Sequence, residues 1–238
     1  MLAAFVLFAT WVVLGIPAAL LGIPWTIVTG DISRMYSWAM AIVRIGLRLS
    51  GILVMAEWRA PIDPAQRYIF LSNHVSNLDP PVLFPLLPGR AVAFLKRSLM
   101  KIPVLGYGMR LGGFIPVDRD GRVESAAESV DAAARALASG VHVVSFVEGT
   151  RSRTGRLQPL KKGPFFLAMS TGAPVVPVSL YGTESMMRKG SLKIFPGTAH
   201  VVFHAPLRPQ DYASREDLMA AVRDAIASGL PEWMRTTE

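Results

Sequence analysis

The chain has 238 residues, 51% of them hydrophobic, a formal net charge of +8 and no cysteine. That length suits one sizeable domain with an appendage, and the missing cysteines exclude disulfides, thiolate nucleophiles and Cys-based zinc sites. The positive charge points to anionic partners: a lipid surface, a phosphorylated substrate or a nucleic acid.

The apolar excess behind a mean hydropathy of +0.37 is concentrated at the N-terminus. From Met1 to Gly30 no side chain is charged, a stretch long enough for a membrane span. Gly15, Pro17, Gly22 and Pro24 argue against a simple one, because each proline removes a helical hydrogen bond. A cleaved signal peptide fits poorly, since no basic residues precede the apolar run. From Ser33 to Met55 the pattern predicts an amphipathic helix, with Arg34, Ser37, Arg44 and Arg48 inside an arc of roughly 80°. Burying Arg44 at mid-bilayer would cost about 2.5 kcal/mol or more. An interfacial helix instead lets the guanidinium groups reach phosphates or the following domain. The expectation is an N-terminal helical hairpin held in one leaflet, with residues 1–58 membrane-associated and residues 59–238 forming a catalytic domain. A second transmembrane helix with snorkelling arginines is the alternative.

After Pro61 and Pro64 strands and helices alternate. Strands are expected at Arg67–Leu71, Ala91–Leu95, Phe114–Val117, Val141–Val147, Ala173–Leu180, Leu192–Phe195 and Ala199–His204, from β-branched and apolar runs between turn signals. Helices are expected over Pro80–Leu87 and over Ser98–Leu111, where Pro103 interrupts. Val123, Ala126, Val130, Ala134 and Leu137 recur at helical spacing and Gly140 supplies the stop. Ser214-Arg215-Glu216-Asp217 opens the last helix with a near capping box, and Gly229-Leu230-Pro231 ends it. The alternation predicts an α/β layered domain with a largely parallel or mixed sheet.

The stretch Ser72-Asn73-His74-Val75-Ser76-Asn77-Leu78-Asp79-Pro80 follows the first of these strands. On a continuous helix His74 and Asp79 would point about 140° apart, so a partnership between them requires a turn. A carboxylate on one imidazole nitrogen fixes the tautomer and leaves the other nitrogen free to take a proton from a hydroxyl. The plainer alternative makes His74 a turn residue and Asp79 a helix cap. Two later turns carry more polar chemistry: Asp118-Arg119 after one strand, and Glu148-Gly149-Thr150-Arg151-Ser152 after another. Ligands of open α/β sheets bind beyond the carboxyl ends of strands, where an arginine grips phosphate through paired hydrogen bonds and a glutamate can meet a hydroxyl. A local Glu148–Arg151 ion pair is the alternative for the second turn. Lys161-Lys162-Gly163-Pro164 opens a helix whose amides could face an anion, although paired lysines more often form a solvated face. His200 and His204 lack acidic neighbours, which argues against a metal site. The basic residues are not interleaved with aromatics on a recognisable nucleic-acid module, which argues against nucleic acid as a partner.

Together these residues resemble the glycerolipid acyltransferase family, most closely its 1-acylglycerol-3-phosphate acyltransferases. Asn73-His74 with Asp79 looks like the family's His-x4-Asp motif, Gly113 to Arg119 its second motif, Phe146 to Ser152 its third and Val176-Pro177-Val178 its fourth. The third departs from the usual pattern, with Val147 in place of proline. The resemblance implies transfer of a fatty acyl group from acyl-CoA or acyl carrier protein to a lysophospholipid hydroxyl, with no metal or other cofactor. It implies His74 as general base, Asp79 as its orienting group, and Arg119, Glu148, Gly149, Thr150 and Arg151 as substrate-binding residues. It also implies a bilayer as partner, at the cytoplasmic face of a bacterial inner membrane. Acylation of glycerol 3-phosphate or another lysolipid, or lipid binding without turnover, are the alternatives.

Overall fold

The computed structural model of the chain describes residues 2–102, 105–117, 123–188 and 190–235. The uncharged N-terminus forms an almost continuous helix: α1 (Leu2–Thr10), a π-helical turn (Trp11–Gly15) and α2 (Ile16–Thr29). At 28 residues it is long and apolar enough to cross a membrane. Its departure from the α-helical pattern is that π turn, which lies just ahead of Pro17, while Pro24 stays inside the helix. A π turn widens the helix locally and spares the carbonyl that a proline ring would strike.

Gly30, in left-handed conformation with φ +70°, ends α2 and begins the return into α3 (Ser33–Leu49). The two limbs pack through their glycines. Leu7 and Thr10 lie over Gly46, and Met35 lies over Gly22. Arg34 stacks on the Trp25 ring at 4.6 Å. Arg44 donates to the carbonyl of Pro85, so the hairpin's arginine reaches into the following domain. The helix stops at Leu49, short of the expected Met55. Gly51 at φ +75° breaks it, and the β-branched and aromatic residues that follow form strand β1 (Ile52–Trp58). The sheet thus begins N-terminal of residue 59.

The remaining elements, in order, are β2 (Ile69–Ser72), α4 (Asp79–Leu83), β3 (Ala91–Lys96), α5 (Leu105–Leu111), β4 (Ile115–Val117), α6 (Val123–Ala138), β5 (His142–Phe146), α7 (Gly163–Thr171), β6 (Val175–Tyr181), α8 (Thr183–Met186), β7 (Gly197–Phe203) and α9 (Arg215–Gly229). The strand expected at Leu192–Phe195 does not form. Its N–H groups bond locally instead, Lys193 N to the Ser191 hydroxyl and Phe195 N to the Met186 carbonyl, and Leu192 is exposed.

Among the described residues seven strands form one mixed sheet in the order β1-β7-β6-β2-β5-β3-β4. Strands β6, β2, β5, β3 and β4 run parallel, β7 runs antiparallel to β6, and β1 runs parallel to β7. All four residues of β2 are buried, as are the first four of β5 and the first six of β6. Strands covered on both faces require such unbroken apolar runs. Helices α6, α7 and α9 pack against β5, β2 and β6 respectively.

This topology decides where the hairpin meets the sheet. Tyr181, at the end of β6, pairs with His200, and Gly197, at the start of β7, pairs with Ile52. The junction of α3 with β1 therefore lies at the edge where β2, β5 and β6 end.

One glycine sets the path out of β6. Gly182 sits at φ +93°, and a Cβ there would stand 2.3 Å from the Thr198 carbonyl oxygen. Gly182→Ala should cost about 1–3 kcal/mol from backbone strain alone. Thermal unfolding should then fall by about 3–10 °C, and an unchanged melting temperature would contradict this reading of the turn.

Candidate active site

The carboxyl edge of β2 delivers the chain into a turn rather than a helix. Asn73 bridges sideways to β6: its amide donates to the Leu180 carbonyl and its oxygen accepts from Leu180 N–H, both at 2.8 Å. The side chain thus continues the ladder after the backbone has left it, worth about 1 kcal/mol per bond. The ring of His74 is swung onto Asp79, with Nδ1 2.7 Å from Oδ2. A carboxylate only accepts, so Nδ1 is the donor, and the tautomer this bond selects has its lone pair on Nε2. Phe146 stacks on the ring at 4.1 Å and 24°. The imidazole keeps 15% of its side-chain surface open, whereas the Asp79 carboxylate keeps none.

Asp79 is held by more than the histidine. Its Oδ2 also accepts from the N–H groups of Val75 and Ser76 at 2.7 and 2.8 Å, and Oδ1 accepts from the Thr183 hydroxyl. Buried anions persist only when so satisfied. Asp79 stands in the first turn of α4, and its side chain reaches back across the preceding loop instead of capping the helix. The predicted pair is therefore assembled, and the reading of Asp79 as a helix cap is not met.

The turn after β5 grips the backbone of the same histidine. His74 N–H donates to Glu148 Oε1 at 2.9 Å, and its carbonyl accepts from Ser152 N–H at 2.8 Å. Glu148 Oε2 accepts from the side chain and backbone of Gln158, at 2.9 and 3.3 Å. Only 2% of Glu148 is exposed. Both Glu148 oxygens turn inward, because the buried N–H groups of His74 and Gln158 need acceptors. Burial, reinforced by the Asp79 charge, raises its pKa to about 7, although these donors oppose the rise.

Gly149 adopts φ +71° to close the turn onto the Phe146 carbonyl. Thr150 is exposed and its carbonyl accepts from Gln158 Nε2 at 3.4 Å. Arg151, half-buried, immediately precedes the Ser152 amide bonded to His74. Arg119 lies outside the described residues. Val147 explains its departure from proline in this structure: its N–H donates to the Ser72 carbonyl at 2.9 Å, a bond proline cannot make. Lys162 pairs loosely with Glu216 at 3.9 Å, both exposed, as befits a solvated face. His200 stacks on Tyr181 and His204 bonds to Ser179. Among the described residues no group of three or more His, Asp or Glu side chains is gathered to hold a metal.

Sequence reasoning missed Asn73, Gln158 and Thr183 as partners of this turn. Asn73 and Gln158 carry no local signal for their distant contacts, and Thr183 is marked only by the glycine before it.

A family model described as Acyltransferase matches residues 57–181. The chloroplastic 1-acyl-sn-glycerol-3-phosphate acyltransferase BAT2 of Brassica napus is 38% identical over 166 residues, 68% of this chain and 46% of its own length. A 1-acyl-sn-glycerol-3-phosphate acyltransferase of Limnanthes douglasii is 31% identical over 206 residues, 82% of this chain and 73% of its own length. The alignments span about half the length of the Brassica napus and Cocos nucifera relatives, 46% and 47%. The crystal structure of the 1-acyl-sn-glycerophosphate acyltransferase PlsC from Thermotoga maritima superposes with a TM-score of 0.78 at 24% identity. It covers 100% of this chain and 97% of that one, so the two share a fold.

The raised Glu148 pKa has a consequence for stability. A carboxyl that holds its proton more tightly folded than unfolded contributes stability below the unfolded value of 4.5, and that contribution is lost as pH rises to about 7. Glu148→Gln cannot titrate; its amide adds a pH-independent mismatch toward Gln158. The wild type should therefore lose about 2–3 kcal/mol relative to Glu148→Gln between pH 4.5 and 7. Denaturant unfolding across that window checks this, and a flat difference would refute it.

Proposed function

The chain belongs to the acyltransferase family, and from that premise we propose that it moves a fatty acyl group from acyl-CoA or acyl carrier protein onto the free hydroxyl of 1-acylglycerol 3-phosphate, giving phosphatidic acid. One observation carries the reading: an imidazole, 15% of its side chain open, whose Nδ1 is locked onto a buried carboxylate at 2.7 Å, at the edge where parallel strands end. That arrangement directs Nε2 outward as a base.

In the proposed reaction Nε2 of His74 takes the proton of the acceptor hydroxyl as its oxygen attacks the thioester carbonyl. The C–O bond forms, the C–S bond breaks as the tetrahedral intermediate collapses, and the imidazolium returns its proton to the departing thiolate. Asp79 steadies the imidazolium in between. The acceptor hydroxyl is itself the nucleophile, so the reaction needs no acyl-enzyme and no further cofactor. Glu148 holds the His74 backbone in register, and Arg151 and Arg119 are the proposed grips for the acceptor phosphate, with Gly149 and Thr150 shaping the turn between them.

The acceptor is a bilayer lipid, and the fold supports a membrane station. The 28-residue apolar helix exposes Phe5, Phe8, Leu20, Leu21 and Val28, and α3 delivers the hairpin to the catalytic edge at Leu49–Ile52. We place the domain on the cytoplasmic face of a bacterial inner membrane, where both acyl donors are soluble.

His74→Ala should reduce kcat by at least about 10²-fold, while flotation with liposomes is unchanged. Transfer within a few-fold of wild type by the purified variant would remove His74 from the chemistry.

A further inference from the structure

The donors around Asp79 are divided unevenly between its oxygens. Three fall on Oδ2, from His74 Nδ1, Val75 N–H and Ser76 N–H, and all belong to the loop that leads into Asp79. The bond to Oδ1 comes from Thr183 Oγ1, 104 residues further on, at the start of α8. Thr183 and Asp79 both have 0% exposure, so no solvent can replace that donor.

A carboxylate can turn about its Cβ–Cγ bond, and its two oxygens move together, so a donor on Oδ1 and the loop donors on Oδ2 restrain the same rotation from opposite sides. The Thr183 bond therefore adds, from outside the loop, a restraint on the carboxylate plane and on the direction from which Oδ2 meets His74 Nδ1. Thr183 lies beyond residue 181, where the family match ends.

We propose that Thr183 is a positioning residue for acyl transfer, its hydroxyl orienting the Asp79 carboxylate and, through it, the imidazole of His74. The inference rests on the acyl-transfer reading above. Three other bonds tie the loop to β6 and the segment after it: Asn73 clamps Leu180 through two, and Ser76 Oγ donates to the Met187 carbonyl. Removing the Thr183 hydroxyl therefore leaves the loop attached to the segment after β6 and acts on the carboxylate alone.

The test compares Thr183→Val, which keeps the shape and deletes the donor, with Thr183→Ser, which keeps the donor. The full chain is used in lipid nanodiscs, with 1-acylglycerol 3-phosphate and acyl-CoA as substrates. Thr183→Val should lower kcat by about 10- to 100-fold and leave both KM values within about twofold, while Thr183→Ser stays within about threefold of wild type. Nitrogen-15 spectra of the four histidines give a second readout. In wild type and Thr183→Ser, His74 should be the Nδ1–H tautomer, and Thr183→Val should shift it toward a mixture. If Thr183→Val does not fold, Thr183→Cys, which keeps the size and weakens the donor, replaces it.

A Thr183→Val enzyme with unaltered kcat, a Thr183→Ser enzyme as slow as Thr183→Val, or a His74 tautomer indifferent to the substitution would overturn the proposal. A wild type that transfers no acyl group would instead defeat the acyl-transfer reading, and the tautomer comparison would still decide the link from Thr183 to His74.

Discussion

A buried carboxylate needs partners on every side, and in this protein that requirement shapes the whole catalytic edge. Asp79 has 0% exposure and answers donors from His74, Val75, Ser76 and Thr183. An isolated ionised carboxylate in such a place would be prohibitively costly. The turn after β2 therefore has one conformation in which the anion is satisfied, and that conformation sets the imidazole ring. The sheet supplies the frame: β6 holds the turn through Asn73, and the loop after β5 holds it through Glu148 and Ser152. Three strand ends are thus tied to a single histidine, which is the kind of supporting shell that keeps a reactive group within tenths of an ångström.

The same logic gives the two acidic residues near His74 different duties. Asp79 accepts four hydrogen bonds, one of them from the ring. Glu148 accepts backbone and amide donors and is pushed up to about 7 chiefly by burial. One carboxyl serves the imidazole, the other the main chain that carries it. The N-terminal hairpin joins this arrangement by topology: its return helix runs into β1, which begins at the catalytic edge because β7 reverses direction beside β6.

Much of this was legible in the sequence where local chemistry decides structure. The unbroken apolar runs gave the buried strands, Gly140 stopped α6 at φ +86°, and Ser214 capped α9 by accepting from Asp217 N–H at 3.1 Å. The pairing of His74 with Asp79 was legible because five residues of turn bring the two together and no helix would. Long-range choices were less legible. Strand β1 was hidden because the helical pattern of α3 continues toward Met55, and only its pairing with β7 makes Ile52–Trp58 a strand. Leu192–Phe195 looks extended in isolation, but its N–H groups bond to the Ser191 hydroxyl and the Met186 carbonyl and not to a neighbouring strand. The inward turn of Glu148 and the bond from Thr183 depend on contacts 74 and 104 residues away in the chain, distances over which no spacing rule reaches.

The central claim is that Asp79 acts as an anion that holds Nδ1–H of His74. Asn at position 79 keeps the side chain's shape while removing the charge and turning one acceptor into a donor. Steady-state kinetics of Asp79→Asn in the folded, membrane-bound full chain is the most direct measurement. The account predicts a kcat reduced by about 10²–10⁴-fold with KM little changed, and a kcat within about threefold of wild type would contradict it.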